Sequence, residues 1–169
     1  MNLDLVFLYC LICICIQKLS AKKSSSKEKY NVDDFDSIKF TDCGKKNIKA
    51  VIIPDCNPSV VTCNVRRGHN YKFFVKFQSL KNHANLKAHA EGKVTVFGSE
   101  RKAPLPLPKP DACKDGKLKC PLKKGDEYTY ETHLSIPEHL PSIEATVAFK
   151  LVDDKDEVAF CFEAKYKIV

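Results

Sequence analysis

The sequence predicts an all-β protein built as a sandwich of two antiparallel sheets. Most of the 169-residue chain beyond position 37 consists of short segments in which apolar and polar residues alternate between turns. Almost no segment has the 3.6-residue period of an amphipathic helix. Each alternating segment has one apolar face, as expected when two sheets share one core. About eight strands at intervals of roughly 8–15 residues fit such a sandwich.

The N-terminal 21 residues have the pattern of a secretory signal peptide. Leu5–Ile16 is an apolar run of twelve residues, too short for the roughly 20 residues that span a membrane. Ser20 and Ala21 supply small residues for cleavage, and a signal anchor is the alternative. Residues 22–36 form a polar, basic tail that we expect to be disordered. The predicted domain is therefore residues 37–169 of an exported protein.

The nine cysteines divide between the predicted signal and the predicted domain. Three lie in the signal, and the even number that remains predicts three disulfides in an oxidising compartment. Six cysteines allow fifteen pairings. No Cys-x₂-Cys pair occurs and the histidines are scattered, so we expect no metal site. Spacing favours two local bridges and one long one, namely Cys56 with Cys63, Cys113 with Cys120, and Cys43 with Cys161.

The N-terminal half of the domain is predicted to contain strands separated by loops. Alternation is clean in Tyr71–Gln78, and the run from Leu86 to Phe97 stays in phase across a glycine. Pro54–Thr62 is predicted to be a loop closed by the first local bridge, and Arg66–Asn70 to be a turn. The predicted strands of this half are Ile38–Cys43, Asn47–Ile53, Tyr71–Gln78, Leu86–Ala90 and Lys93–Phe97.

A proline-rich ribbon, Glu100–Pro110, follows these strands and contains the sequence APLPLPKP. Proline fixes φ and lacks a backbone N–H, so the ribbon must run along an edge or rim and not as a central strand. Leu105 and Leu107 stand between the prolines, and the second predicted local bridge comes directly afterwards. The ribbon is therefore predicted to form a lip of the sandwich.

The C-terminal half has the clearest β pattern. Ile143–Leu151 alternates over its whole length, with a proline-bounded break before it at Pro137–Pro141. Asp153–Asp156 has the composition of a hairpin turn. The predicted strands of this half are Tyr128–Ile136, Ile143–Leu151 and Val158–Ile168.

The polar residues do not form a catalytic pattern. No metal-ligand spacing, nucleophile elbow or phosphate-binding loop occurs. We therefore expect a binding protein that is not an enzyme and uses no cofactor. The net charge of +7 favours anionic surfaces such as lipid headgroups, and nucleic acid is not expected for an exported, disulfide-rich chain. A sandwich can hold a small apolar molecule where its sheets splay apart, and the alternative is that its rim residues simply close the core.

A set of short motifs occurs in one order across the predicted domain. They are Phe40-Thr-Asp-Cys43-Gly44, Cys56 with Cys63, Arg67-Gly68, Pro104–Pro108, Cys120-Pro-Leu, Tyr128-x-Tyr130, Pro141-Ser142-Ile143, Leu151-Val-Asp-Asp154 and Cys161. In these motifs the chain closely resembles the ML lipid-recognition domain family, which includes Niemann–Pick type C2 sterol carriers and group 2 mite allergens. The resemblance implies an immunoglobulin-like sandwich with an apolar cavity between its sheets. It also implies the disulfides Cys43–Cys161, Cys56–Cys63 and Cys113–Cys120.

The resemblance further implies where a lipid would enter and which residues it would contact. Positions that line the pocket mouth of the sterol carriers fall at Ile53, Leu105, Ile136, Leu140 and Pro141. Apolar faces of the neighbouring predicted strands add Val94, Val96, Tyr130, Val147 and Phe149 as candidate lipid contacts. The residues at positions 105 and 140 are aliphatic where the sterol carriers have aromatic ones, so the resemblance does not impose a sterol.

Two functions are compatible with these observations. The first is a secreted or endolysosomal carrier, expected to be monomeric, that holds a sterol, fatty acid or other apolar lipid and touches anionic membranes transiently. The second is a secreted immune or surface-recognition factor, allergen-like, that senses lipid and binds a protein receptor. The first is the leading hypothesis, because it needs only the predicted cavity and the basic surface.

Overall fold

A computed structural model of the chain describes residues 31–169. The predicted signal peptide and most of the predicted tail lie outside the described residues. Within them, a short 3₁₀ helix at Val32–Asp34 precedes nine strands and no α-helix is present, which confirms the all-β prediction. None of the described helical residues forms a helix long and apolar enough to cross a membrane. The strands are β1 Thr41–Asp42, β2 Ile48–Ile52, β3 Thr62–Val65, β4 Asn70–Gln78, β5 Lys87–Val96, β6 Ser99–Leu105, β7 Glu127–Ser135, β8 Glu144–Val152 and β9 Val158–Ile168.

The strands form the two sheets of the predicted sandwich. The larger sheet has the order β1-β9-β8-β5-β6, with β3 also paired to β9, and the smaller has the order β2-β4-β7. All of these pairs are antiparallel except β3 with β9, which is parallel. Strands β1 and β3 share one edge of β9, because β1 pairs with Phe162 and Glu163 while β3 pairs further along, from Lys165 to Ile168.

Aromatic rings fill the core near the β8–β9 turn. Phe73 and Phe149 come from opposite sheets and meet edge to face with ring centroids 4.9 Å apart. Phe77 and Phe160 also meet across the core, with tilted rings whose centroids are 4.7 Å apart. All four rings are almost completely buried. This part of the sandwich is therefore closed and densely packed, as expected for a core of large aromatic side chains.

Three disulfides reinforce the sandwich, in the pairing that the spacing of the cysteines favoured. Cys43 bonds to Cys161 across 118 residues and so joins the loop after β1 to the outer face of β9. Cross-linking a loop of this length contributes on the order of 4–5 kcal/mol in chain-entropy models. The other two bonds close local loops, Cys56–Cys63 before and within β3, and Cys113–Cys120 after the proline-rich ribbon.

Strand β3 is the element that the sequence prediction missed, since Thr62 was placed at the end of a loop and residues 63–65 were assigned to no element. The strand is only four residues long and pairs with neither β2 nor β4, the strands next to it in the chain. It pairs in parallel with β9, the last strand. Cys63 and Val65 are its buried residues, and a two-residue apolar alternation is too short to predict a strand by itself. The strand exists because a distant edge is available to pair with it.

Two further boundaries differ from the prediction. Leu86–Ala90 and Lys93–Phe97 belong to one continuous strand, β5, because Gly92 lies inside the ladder and pairs with both β6 and β8. The proline-rich ribbon is a strand only as far as Leu105. Because β6 pairs with β5 alone, at the end of the larger sheet, the predicted edge position of the ribbon is confirmed.

Candidate functional site

The inner face of the larger sheet changes from aromatic to small side chains away from the β8–β9 turn. Leu105, Ala90, Phe149 and Phe162 lie in register across β6, β5, β8 and β9. Two residues further along, the aligned residues on the same face are Ala103, Gly92, Val147 and Ala164, which we call the small-residue row. No side chain in this row is larger than valine, so the sheet leaves space above it where the preceding row fills the core.

Water reaches the inner face of the larger sheet at this row. Val147 lies in β8, which has β5 on one side and β9 on the other. Its exposure therefore does not come from a position at the edge of the sheet. It points to the same face as Phe149, which is 3% exposed, yet Val147 remains only partly buried. On the facing strand β7, Thr132 and Leu134 are also partly buried. The two sheets are therefore less tightly closed beyond the aromatic core.

Residues 137–142, which we call the strap, cross this end of the sandwich between β7 and β8. The backbone N–H of Gly68 donates to the carbonyl of Ile136 at 2.7 Å, and the N–H of Ile136 donates to His69 O at 2.9 Å. Arg67 Nη1 donates to Leu140 O at 3.4 Å. The turn before β4 therefore holds Ile136, just before the strap, and Leu140 within it, which are two of the five residues predicted to form the pocket mouth.

The ten predicted lipid contacts fall into three groups in the structure. Ile53, Tyr130, Ile136 and Phe149 are buried in the core. Leu105, Leu140 and Val147 are partly buried against that core, and Leu105 lies 3.5 Å from the position that a Cβ on Gly92 would occupy. The remaining three are the partly buried Val94 and the exposed Val96 and Pro141.

Val94 and Val96 line a cavity of about 470 Å³ at the end of the larger sheet. The cavity lies where β5 continues past Lys93, the last residue that it pairs with β8. Lysine and threonine side chains share its lining, including Lys93 and Lys165, so its surface is mixed. These two valines are therefore separated from Tyr130 and Phe149, and the structure does not gather all ten predicted residues around one space.

Tyr130 has the most constrained environment of the predicted contacts. Its ring is fully buried and meets Phe149 at 5.9 Å and Phe160 at 6.1 Å between centroids. Its hydroxyl is buried as well and has no hydrogen-bond partner. Burial raises the pKa of Tyr130 to about 12, although the nearby Thr132 hydroxyl acts in the opposite direction. An unsatisfied buried hydroxyl costs about 1–3 kcal/mol, so it calls for an explanation.

Two residues that shape this region were not among the predicted site residues. Gly116, in the loop closed by Cys113–Cys120, lies directly against the Tyr130 ring, and Arg67 holds the strap. Arg67 belongs to one of the motifs that carry the family resemblance, but the motif does not show what its side chain contacts, and Gly116 lies in ordinary loop sequence. The partly buried Thr132 and Leu134 were in the alternating pattern of β7 but were not selected.

A second cavity, about 360 Å³, lies near the β8–β9 turn, and most of the residues that line it are polar or charged. There His83 Nδ1 lies 2.9 Å from Asp153 Oδ2, with the histidine ring almost fully buried. Burial raises the pKa of Asp153, but hydrogen bonds from the Glu157 N–H, His83 and the Lys155 N–H outweigh it and leave the pKa below its usual value. This pair connects segments 70 residues apart and is a structural tie rather than a lipid contact.

The described residues offer no ready metal centre. Among residues 31–169, no group of three or more His, Cys, Asp or Glu side chains is placed to hold a metal ion. The six cysteines of this region are all in disulfides. What the partly buried side chains of this region, such as Leu105, Leu140 and Val147, can do is to surround an apolar molecule.

Comparison with known proteins identifies the family. The ML domain model matches residues 37–168. Over 131 residues the chain is 34% identical to NPC intracellular cholesterol transporter 2 of Mus musculus, covering 76% of this chain and 83% of that relative. Over 110 residues it is 32% identical to mite group 2 allergen Tyr p 2 of Tyrophagus putrescentiae, covering 65% and 72%. The crystal structure of a Niemann-Pick type C2 protein from the Japanese carpenter ant matches with a TM-score of 0.69 at 30% identity, covering 78% of this chain and 100% of that one. The chain therefore belongs to the ML domain family.

Proposed function

We propose that this protein is a carrier that binds a sterol, a fatty acid or another apolar lipid between its two sheets. The observation that carries the proposal is the small-residue row, whose Val147 is partly exposed on the inner face of a central strand beside a closed aromatic core. Relatives named as cholesterol transporters support the same reading. Binding and release need no chemical step, so we propose a carrier and not an enzyme.

Apolar burial supplies enough free energy for such binding. A sterol-sized ligand that buries roughly 400 Å² gains about 10 kcal/mol at 25 cal/mol per Å², before the costs of ordering and of association. Space of this kind between two sheets, bounded by aromatic and aliphatic side chains, is the usual character of small-molecule sites. The partly buried Leu105, Leu134 and Val147 are the side chains that would gain most from being covered.

The turn between β5 and β6 is proposed to contact membranes. Phe97 is 103% exposed and Val96 is 45% exposed at its tip. Phe97 and Gly98 both have positive φ, at 49° and 77°, as in the two-residue turns that close hairpins. A bulky residue is unfavourable in that conformation. The presence of Phe97 at an exposed tip therefore indicates that its ring has a function, such as contact with a membrane. Arg101 and Lys102 lie nearby on β6 and would face anionic headgroups.

We place the protein outside the cytosol, either secreted or in the endolysosomal lumen, and propose that it acts as a monomer. Three disulfides in the described residues favour an oxidising compartment. The predicted signal peptide of residues 1–21 favours export, with residues 37–169 as the lipid-binding domain.

Filling the space beside the small-residue row tests the proposal. Val147→Trp should abolish uptake of a fluorescent sterol and of a fluorescent fatty acid, because the indole ring would occupy the room left by Val147. The matched control is Thr129→Trp, which places the same ring on the exposed outer face of β7. Circular dichroism and thermal unfolding show whether both variants fold. Normal uptake by a folded Val147→Trp protein would contradict binding between the sheets.

A further inference from the structure

The larger sheet is split at one end, between the end of β5 and the start of β8. The two strands pair as far as Lys93 with Thr146, and beyond this pair β5 continues to Val96 while pairing only with β6. The start of β8 pairs only with β9, and the N–H of Ile168 donates to Ile143 O at 2.9 Å. Each strand is thus held on its far side, and no strand of the described part of the chain pairs with the two edges that face each other across the split.

The cavity of about 470 Å³ lies in this split, and we call it the cleft. Its lining includes every residue of β5 from Lys93 to Val96 and every residue from Ile143 to Thr146. Successive residues of a strand point to opposite faces of a sheet, so a cavity on one face alone would be lined mainly by every second residue. The cleft therefore lies between the two strands, with side chains of both faces around it.

The inner side of the cleft is apolar. Val94 and Ala145 each lie two residues from the paired Gly92 and Val147, and so they are on the same face of the sheet as the small-residue row. Val96 continues this face along β5 and is 45% exposed. An apolar side chain of a bound molecule would cover these residues and remove apolar surface from water.

The outer side of the cleft is basic. Lys93, Thr146 and Lys165 lie in register there across β5, β8 and β9. Lys93 forms an ion pair with Glu163, whereas Lys165 is exposed and forms no ion pair with another described residue. An acidic side chain in the cleft would therefore meet the Lys165 ammonium group beside the Thr146 hydroxyl.

One acidic side chain, that of Glu144, also lines the cleft. It pairs across the strands with Lys167 of β9, whose positive charge offsets it at short range. Lys165 is therefore the cation of this lining that has no acidic residue directly opposite it, since its own cross-strand neighbours are Thr62 and Thr146.

We propose that the cleft binds an extended peptide segment of a partner protein in which acidic and apolar residues alternate. Unpaired strand edges are templates for pairing with another chain, and a bound strand supplies the N–H and C=O groups that they lack. A strand paired there would place its apolar side chains toward Val94 and Ala145 and its acidic side chains toward Lys165. A lipid chain would cover the apolar side but would supply no backbone groups to the strand edges. The inference goes beyond the proposed function, because it needs no lipid between the sheets.

A short fluorescent peptide that alternates valine and glutamate, blocked at both ends, is the probe for this site. Fluorescence anisotropy at neutral pH should show saturable binding to the natural protein. The same peptide with lysine in place of glutamate should bind about tenfold more weakly, because its charges repel Lys165. Two further glutamate peptides carry N-methyl groups on one or the other alternate set of backbone nitrogens. At least one of them should lose about tenfold in affinity, because the donors that pair with the strand edge are removed.

Exposed charges on the protein supply the matched variants. Lys165→Gln should weaken binding of the glutamate peptide about two- to fivefold, and Glu144→Gln should strengthen it about twofold, as expected for exposed charge pairs. Lys150→Gln is the control and should leave binding unchanged, since Lys150 is an exposed lysine on the same face of β8, four residues beyond Thr146. All three side chains are exposed, so each variant should fold, as circular dichroism can verify.

Three results would overturn the proposal. They are equal binding of the glutamate and lysine peptides, full affinity of both N-methylated peptides, and no binding of any peptide by the natural protein. Unchanged peptide binding by Lys165→Gln, together with slower lipid transfer to anionic vesicles, would also overturn it and assign this cation to membrane contact. Failure of the proposed function is read separately, by the absence of lipid uptake in the protein without peptide.

Discussion

Single residues decide how the Tyr130 ring is held at the boundary of the aromatic core. A Cβ added to Gly116 would stand 2.1 Å from Tyr130 Cε2 and 2.7 Å from the carbonyl oxygen of Ala112. Gly116→Ala should therefore lower the free energy of unfolding by about 1–3 kcal/mol, because a buried ring and a backbone carbonyl must both give way. Urea unfolding monitored by circular dichroism measures the change.

The control for this substitution is Gly92→Ala, in the small-residue row. There the nearest atom to an added Cβ is Leu105 Cδ2 at 3.5 Å, an ordinary van der Waals contact. The free energy of unfolding should change by less than about 1 kcal/mol. If the two variants lost the same amount of stability, the contact between Gly116 and Tyr130 would not be what distinguishes them.

The sequence predicts the direction of these side chains better than their surroundings. Alternation in β7 placed Tyr130 on the inner face, and alternation in β8 did the same for Val147 and Phe149. It could not show that the Tyr130 hydroxyl lacks a partner, because that depends on Gly116, Thr132 and rings from three other strands. Partial exposure of Val147 depends likewise on how far the facing sheet stands away.

At the scale of an element, the β5–β6 hairpin carries the proposed membrane contact. Phe97→Ser should slow transfer of bound lipid to anionic vesicles several-fold, because the tip would lose its large apolar side chain. Affinity for lipid in the absence of vesicles should stay unchanged, since the Phe97 ring is fully exposed and outside the core. Stopped-flow fluorescence measures the transfer rate.

Leu80→Ser provides the matched control for the hairpin. Leu80 is 37% exposed and follows the end of β4, whereas the turn that supports the strap precedes the start of that strand. It should leave the transfer rate unchanged. A transfer rate in Phe97→Ser equal to that of the natural protein would show that the tip does not contact the membrane.

Elements were predictable where the pattern was long and local. Strands β4, β8 and β9 span nine to eleven residues, and their predicted bounds differ from the observed ones by a single residue at most. The four residues of β3 needed the edge of β9 to become a strand, and that edge lies about 100 residues away in the sequence. Non-local pairing is therefore what the sequence pattern missed.

For the molecule as a whole, the parts of the site that depend on local sequence patterns were predicted, and the parts that depend on how distant strands pair were not. The sandwich and its core followed from alternation and cysteine spacing, and the family resemblance pointed to Leu105, Ile136 and Leu140 near the mouth. The separation of Val94 and Val96 from Tyr130 was not predictable, because it results from β5 running past the last residue that it pairs with β8. A strand can be apolar along one face and still leave the shared core.

The net charge gives a prediction for the whole molecule, because +7 is spread over the chain rather than confined to one element. If this charge draws the carrier to anionic membranes, lipid transfer to anionic vesicles should slow sharply as salt rises. The Debye length falls from about 30 Å at 0.01 M to about 8 Å at 0.15 M, which screens long-range attraction to the membrane. Transfer rates measured across this range by fluorescence give the dependence.

Zwitterionic vesicles and the vesicle-free protein separate the electrostatic effect from other effects of salt. Transfer to vesicles without net charge should be slow at every salt concentration and change little, because they exert little attraction on the basic surface. Affinity for the lipid itself should also change little, since apolar burial does not depend on screening. Equal slowing with both kinds of vesicle would locate the effect of salt in ligand release and not in docking.

A Phe97→Ser protein that keeps the salt dependence but transfers slowly would show that charge governs approach and the hairpin governs insertion.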